Sequence, residues 1–398
     1  MSVRSPRPTA LTCVLLASCV AVSALGCGGS GGPSRSGAGE RVEDSQSAGA
    51  QVRHRLPRNG SVPPLLDPHN VYAADRAGML SPLVRRFPER VYVPNSLSDT
   101  ISVIDPKTFK VTDTFGVGAL PQHVTPSYDL KTLWVDNDRG NTLTAIDPLT
   151  GRPGRSVPVT DPYNLYFTPN GRFAIVVAEA LQRLDFRNAQ TMSLHHSLAV
   201  PCNGVDHMDF TADGRYLLAS CEFGARMVEV DVRRERVVRT ISLQSGAMPQ
   251  DVKLSRDGRA FYVADMMHGG VWTIAARSMR VEGFIRTGAG AHGLYPSRDA
   301  KLLYVSDRGE GAISVISFTR RAVVRKWVIP GGGSPDMGGV SADGRVLWLS
   351  GRYDDVVYAI DTRSGKLLAK IPVGRGPHGL SVFPQPGRYS LGHTGVFR

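Results

Sequence analysis

The stretch Asp251-Val-Lys-Leu-Ser-Arg-Asp-Gly-Arg-Ala-Phe-Tyr-Val-Ala-Asp265, continued by Gly270-Val-Trp-Thr-Ile-Ala275 and Val281-Glu-Gly-Phe-Ile-Arg286, decides the fold. Four runs of strand length, 251–255, 260–264, 270–275 and 281–286, are separated by turn-forming residues. The first turn, Asp257-Gly-Arg259, has counterparts in Asp129-Leu-Lys131, Asn170-Gly-Arg172, Asp213-Gly-Arg215, Asp299-Ala-Lys301, Asp343-Gly-Arg345 and the degenerate Pro386-Gly-Arg388. Their spacing of about 43 residues is the period of a four-stranded propeller blade. Asp-Gly and Asn-Gly also suit a tight hairpin whose two central residues take positive φ.

The ends of the repeat region support a closed ring. The first repeat begins at its second strand, Arg90-Val-Tyr-Val93, whereas His378-Gly-Leu-Ser-Val-Phe383 is an inner strand without a following repeat. Joining them completes a shared blade and removes the free edge. The expectation is an all-β, seven-bladed β-propeller of four-stranded antiparallel blades, closed by a C-terminal strand that completes the first blade. It spans residues 90–388, preceded by an extension at 61–89 that packs on the propeller and followed by a tail at 389–398.

The strands Arg90-Val-Tyr-Val-Pro-Asn95, Thr100-Ile-Ser-Val-Ile-Asp105, Leu303-Tyr-Val-Ser306 and Ala312-Ile-Ser-Val-Ile316 resemble the YVTN-type repeat of the YncE-like propellers. The resemblance covers about residues 90 to 388. It implies the propeller fold and export to the envelope; it carries no catalytic residue across.

Arg4 and Arg7 precede a largely apolar run from Ala10 to Leu25, too short for the roughly 20 residues of a spanning helix, so residues 1–26 read as a signal peptide. Ala24-Leu25-Gly26-Cys27 resembles a lipobox, making Cys27 the expected lipidation site and the membrane an expected partner. The rival Leu16-Ala17-Ser18-Cys19 leaves a shorter apolar core, and secretion without a lipid stays open. Residues 27–60, rich in Gly, Ser, Pro, Arg and acids, have the composition of a disordered tether. Of five cysteines, Cys202 and Cys221 remain beyond the leader and Cys27; in an exported protein they read as a disulfide, with two buried thiols as the alternative. The net charge of +12 then favours anionic envelope polymers, lipid headgroups or solubility over nucleic acid.

The inter-blade loops, together with those between second and third strands, share one face, where they line the channel mouth. Equivalent positions there are Gln122-His123, Tyr163-Asn164, Asp206-His207, Gln250-Asp251, Ala291-His292, Pro335-Asp336 and Pro377-His378. The ligand-binding candidates are His123, Asn164, Asp206, His207, Asp251, His292, Asp336 and His378, converging on the axis. A subset of His123, His207, His292 and His378 is the candidate site for a divalent metal ion. A wet channel with locally satisfied histidines accounts for the same residues. Asp307, Arg308 and Arg352 form a rim in which the two arginines are able to clamp a carboxylate or phosphate, or else pair with Asp307, Asp354 or Asp355 as exposed salt bridges.

Other signatures fail on context. Gly288-Ala-Gly-Ala-His-Gly293 has dinucleotide glycine spacing but leads into a strand, and Gly28-Gly-Ser-Gly-Gly32 has nucleophile-elbow spacing inside the tether. No His-Glu-x-x-His and no Cys-x-x-Cys-His occurs. Three functional classes follow. The first is a monomeric envelope protein that binds a protein, polymer or small ligand without catalysis. The second is a metal-dependent lyase or lactonase. Gly376-Pro-His-Gly379 resembles segments of streptogramin-lyase propellers, which implies His378 as base with Glu222 or Asp336 as helper. The third is a redox accessory or metal carrier.

Overall fold

The computed structural model describes residues 60–393 and 397–398; the expected leader, Cys27 and all of the tether but Gly60 lie outside the described residues. Seven four-stranded antiparallel sheets follow one another along the chain. The first blade takes Ser381–Phe383 as its inner strand, followed by Arg90–Asn95, Thr100–Asp105 and Lys110–Gly116. The second to seventh blades begin at Pro121–Pro126, Asn164–Phe167, Val205–Phe210, Pro249–Leu254, Ala291–Pro296 and Pro335–Val340. Closure is carried by the pairs Arg90 with Phe383, Val91 with Val382 and Tyr92 with Ser381.

Burial grades outward through each blade. Second strands such as Phe173–Ala178 and Ala260–Asp265 are buried along their whole length, because both faces pack against neighbouring blades. The outermost strand Lys110–Gly116 is almost wholly exposed and correspondingly polar. The core is therefore a set of apolar wedges between blades, Leu294, Val305 and Ile316 beside Tyr262 and Val271 being one of them.

The recurring turn is not the two-residue hairpin expected from its Asp-Gly. Ser255 Oγ donates to Asp257 Oδ1 at 2.6 Å and accepts the amides of Arg259 and Ala260 at 3.1 and 3.0 Å. Thr211 with Asp213, Ser297 with Asp299 and Ser341 with Asp343 repeat the hydroxyl-to-carboxylate bond at 2.6 Å. This longer loop needs one left-handed residue rather than two, Gly258 at φ +71°. The requirement for a single such residue explains why Leu130 and Ala300 replace glycine in two repeats, at φ +62° and +52°.

Two segments outside the repeats cover the face formed by these turns. From the N-terminal side, Val71 N donates to Arg256 O at 2.8 Å, Tyr72 Oη to Leu254 O at 2.6 Å, and Asp75 pairs with the buried Arg298. From the C-terminal side, Phe167 N donates to Leu391 O at 3.0 Å and His393 N to Leu165 O at 3.2 Å, so the tail lies along the short inner strand of the third blade. Gly392 permits this approach: a Cβ there would stand 2.5 Å from Leu165 O. Arg398 Nη2 lies 3.2 Å from Asp209 Oδ1 and donates to Phe210 O at 2.8 Å.

Candidate functional site

Where an inner strand enters the blade, its pairing with the second strand slips. The shift falls between Pro121 and Val124, Val205 and Met208, Pro249 and Val252, Ala291 and Leu294, and Pro335 and Gly338. Each is a bulge, which re-aims side chains that a regular ladder would send to alternate faces. The bulged residues are Gln122-His123, Asp206-His207, Gln250-Asp251, His292-Gly293 and Asp336-Met337. Sequence reasoning assigned these positions to inter-blade loops; they belong instead to the strands, where the bulge lets them leave the ladder while their backbone stays in the sheet. His123, Asp206, His207, Asp251, Asp336 and Asn164 are fully buried, and His292 and His378 nearly so.

The imidazoles meet. Ring centroids are 5.7 Å apart for His123 and His207, 4.9 Å for His123 and His378, 6.2 Å for His207 and His292, and 6.0 Å for His292 and His378. A fifth ring, His393 of the tail, sits 4.2 Å from His123 and 4.8 Å from His207. Nitrogen donors of His123, His207 and His393 all lie within 4.8 Å of one another, a spacing from which three side chains can hold a metal ion.

The five rings divide by what else they touch. His378 Nδ1 lies 2.8 Å from Asp336 Oδ2, and His292 Nδ1 lies 3.2 Å from Asp336 Oδ1 and 2.9 Å from Met337 Sδ. Arg308 Nη1 joins the same carboxylate at 3.1 Å. Asp336 is thus the hub of one network; burial opposes its charge, but His292, Arg308 and His378 overcome that and hold its carboxyl well below the usual range. Burial pushes the His378 imidazole down to about 4, and Arg352 adds to that effect. His292 is likewise held well below its ordinary value, chiefly by burial.

His123 and His393 are depressed by burial and then by neighbouring imidazoles. His207 differs: burial works to lower it, yet the adjoining Asp206 outweighs this and raises it. His207 Nδ1 is 2.7 Å from Asp206 Oδ2, without the alignment of a full hydrogen bond. Asp251 is occupied structurally, its oxygens 2.8 and 3.0 Å from the buried Lys253 Nζ and accepting Leu294 N at 2.9 Å. Asn164 accepts the amide of Leu165 and approaches Tyr166 Oη.

Above the rings the mouth is polarised. Asp138, Asp161, Glu179, Asp206 and Glu222 are mutual electrostatic neighbours on the second to fourth blades. Burial, then the surrounding carboxylates, push Glu179 up to about 9, and burial with Asp206 pushes Glu222 up to about 7. The opposite side presents Arg308 and Arg352. Arg308 pairs with Asp336 and lies over the Tyr353 ring at 5.5 Å, so the expected exposed pair with Asp307 does not form. Asp307 is buried and accepts Ser314 Oγ at 2.6 Å, which excludes it from an exposed rim. Arg352 Nη1 donates to Ser96 Oγ at 3.2 Å and Gly376 O at 3.1 Å rather than to Asp354 or Asp355. Cys202 and Cys221 are bridged across a Cα separation of 5.2 Å, securing the loop that leads to Asp206 and His207.

The sequence profile of the YNCE-like β-propellers matches residues 77–387. The chain belongs to the YNCE-like β-propeller family. No curated protein matches this YNCE-like propeller in sequence. Among solved structures it is similar to hydrazine synthase of Kuenenia stuttgartiensis, with a TM-score of 0.59 and 18% identity over 69% of this chain and 92% of that one. It also resembles the dihydro-heme d1 dehydrogenase NirN in complex with DHE, with a TM-score of 0.58 and 17% identity over 74% and 75%. A functionally unknown protein of Desulfotomaculum acetoxidans gives a TM-score of 0.63 at 14% identity, over 74% and 98%. These identities speak for the fold alone.

The repeat hid His393, Lys253 and the Asp209–Arg398 pair. His393 lies outside the repeated phrase, although its Gly392-His393 resembles the small-residue settings of His292 and His378. Lys253 and Asp209 occupy strand positions where a residue of either face is compatible with alternation.

Proposed function

We propose that this YNCE-like propeller is an exported, lipid-anchored binding protein of the cell envelope, working without catalysis through its channel mouth. The observation that carries the reading is the polarised mouth: five carboxylates on three consecutive blades face Arg308 and Arg352, although the chain as a whole carries +12. Carboxyls crowded enough to hold their protons up to about pH 7 and 9 are suited to a ligand bearing a cationic group, which relieves their mutual repulsion and ionises them, with an anionic end set toward the two arginines. The ring holds these groups on or beside five of its seven rigid blades, so little ordering cost falls on binding. The leader and Cys27 supply the export and anchoring parts of the proposal.

The test expresses the full chain in a bacterial host with an alkynyl palmitate label. Label on the membrane-bound wild type, lost with release in Cys27→Ala, is the expected result; unlabelled cytoplasmic protein overturns the proposal. Capture of envelope components by the anchored chain is expected to fall in Glu179→Lys/Glu222→Lys, and unchanged capture removes the mouth from the reading.

A metal-dependent lyase or lactonase is the second reading, favoured by Glu222, a carboxyl pushed to about 7 near the imidazoles and so suited to proton transfer at neutral pH. Turnover of a lactone panel by the wild type and its loss in Glu222→Gln would replace the binding reading.

A further inference from the structure

We propose that His123, His207 and His393 form a three-imidazole site for a zinc-like divalent cation, with the C-terminal tail supplying the third ligand. This does not rest on the mouth or on the lipid anchor. It rests on the donors themselves, beginning with His123, whose Nδ1 lies 2.8 Å from the carbonyl oxygen of Tyr163. A carbonyl only accepts, so Nδ1 carries the proton and Nε2 keeps its lone pair. That Nε2 is buried and has no hydrogen-bond partner among the described residues.

His207 is arranged in the same sense. Asp206 approaches Nδ1, and among the described residues neither Nε2 nor either oxygen of Asp206 has a hydrogen-bond partner. A proton on Nδ1 directed to the carboxylate, with metal on Nε2, is the outer-sphere arrangement that orients ligating histidines. Among the described residues His393 has no partner for either ring nitrogen, and its ring is fully buried. Leaving such groups empty-handed in the interior costs about 1–3 kcal/mol for each unmatched atom. Three rings that each bring an unpartnered nitrogen to one point are therefore better explained by something that binds them together than by packing.

The geometry suits a compact cation. The donors lie within 4.8 Å of one another, whereas nitrogens about 2.0–2.1 Å from a tetrahedral zinc stand roughly 3.4 Å apart. Small ring rotations close the difference. Three neutral imidazoles favour zinc, copper or nickel over magnesium or calcium, which prefer oxygen. Asp206 offsets part of the ion's charge. His292 and His378 stand outside the site because, among the described residues, it is His123, His207 and His393 whose donor atoms fall within 4.8 Å of one another, while the other two rings gather on Asp336.

The tail gives the site a second consequence. His393 is held to the ring by its amide on Leu165 O, so a bound ion adds a coordination bond between the C-terminal segment and the second and fourth blades. Elemental analysis and Co²⁺ titration of the mature full chain, purified without a metal-affinity tag, test the site. One equivalent of zinc-group metal, or tetrahedral Co²⁺ bands saturating at one equivalent, is expected. Affinity should fall about 100-fold or more in each of His123→Ala, His207→Ala and His393→Ala, while His292→Ala stays near wild type. His393→Cys keeps the test independent of folding losses: it should bind Co²⁺ and add a thiolate charge-transfer band. Folding of every variant is checked by circular dichroism in chelator. Less than a tenth of an equivalent after reconstitution, indicating water only, overturns the proposal. So does loss in His292→Ala equal to that in His393→Ala, or a His393→Cys complex without the thiolate band.

Discussion

Replacing Arg398 by Met isolates what the tail contributes to stability through its contact with the fourth blade. The guanidinium is 2% exposed, lies 3.2 Å from Asp209 Oδ1, and donates to Thr211 O and Phe210 O at 3.1 and 2.8 Å. Asp209 also accepts the amides of Phe210 and Leu254 at 2.6 and 2.7 Å, so its carboxylate is built into the backbone of two blades and cannot turn to solvent. Removing the cation leaves a buried charge with amide partners only, a change that costs about 3–5 kcal/mol. For a folded region of roughly 340 residues the unfolding entropy is about 0.7 kcal/mol/K, so the melting temperature should fall by about 4–7 °C. Differential scanning calorimetry at several scan rates reads this while exposing irreversibility. Arg321→Ala is the control, since its pair with Glu282 is 46% and 39% exposed and should be worth about 0–1 kcal/mol. Asp209→Asn/Arg398→Met should lose clearly less than the two single changes added together. A single-variant loss no larger than the control, or strict additivity, would refute the argument that the pair is a buried clamp.

Three further outcomes are expected. Cys202→Ser/Cys221→Ser opens a link of sequence separation 19, and loop-closure entropy puts the loss at about 3 kcal/mol, read as the shift between oxidised wild type and variant in denaturant unfolding. Glu179 and Glu222 bind protons more tightly folded than unfolded, so stability should fall as pH rises from about 4.5 toward 7 and 9; Glu179→Gln should melt higher than wild type at pH 8 and equally at pH 4. Gly338→Ala would place a Cβ 1.8 Å from Trp348 O, inside rigid strand pairing, and should cost about 4 kcal/mol or more, seen as loss of folded protein on expression.

Sequence alone determined the architecture. A phrase such as Asp213-Gly-Arg215 or Asp343-Gly-Arg345 recurs at a fixed interval because each blade solves the same local problem, a loop with one left-handed residue between two strands. The inner strand near His378 and the incomplete first repeat at Arg90 announced closure, because an unpaired edge has to be satisfied somewhere. Convergence of His123, His207, His292 and His378 also followed from their equivalent positions. What they do to one another did not, since it depends on bulges whose position in the ladder leaves no mark in alternation. Only the tertiary structure decided that Asp336 takes two of the rings and that Arg308 turns to it rather than to Asp307. Only it brought in His393, from a segment with no repeat to align it, because a side chain's neighbours inside a closed ring are set by threading and packing, and sequence spacing carries no record of either.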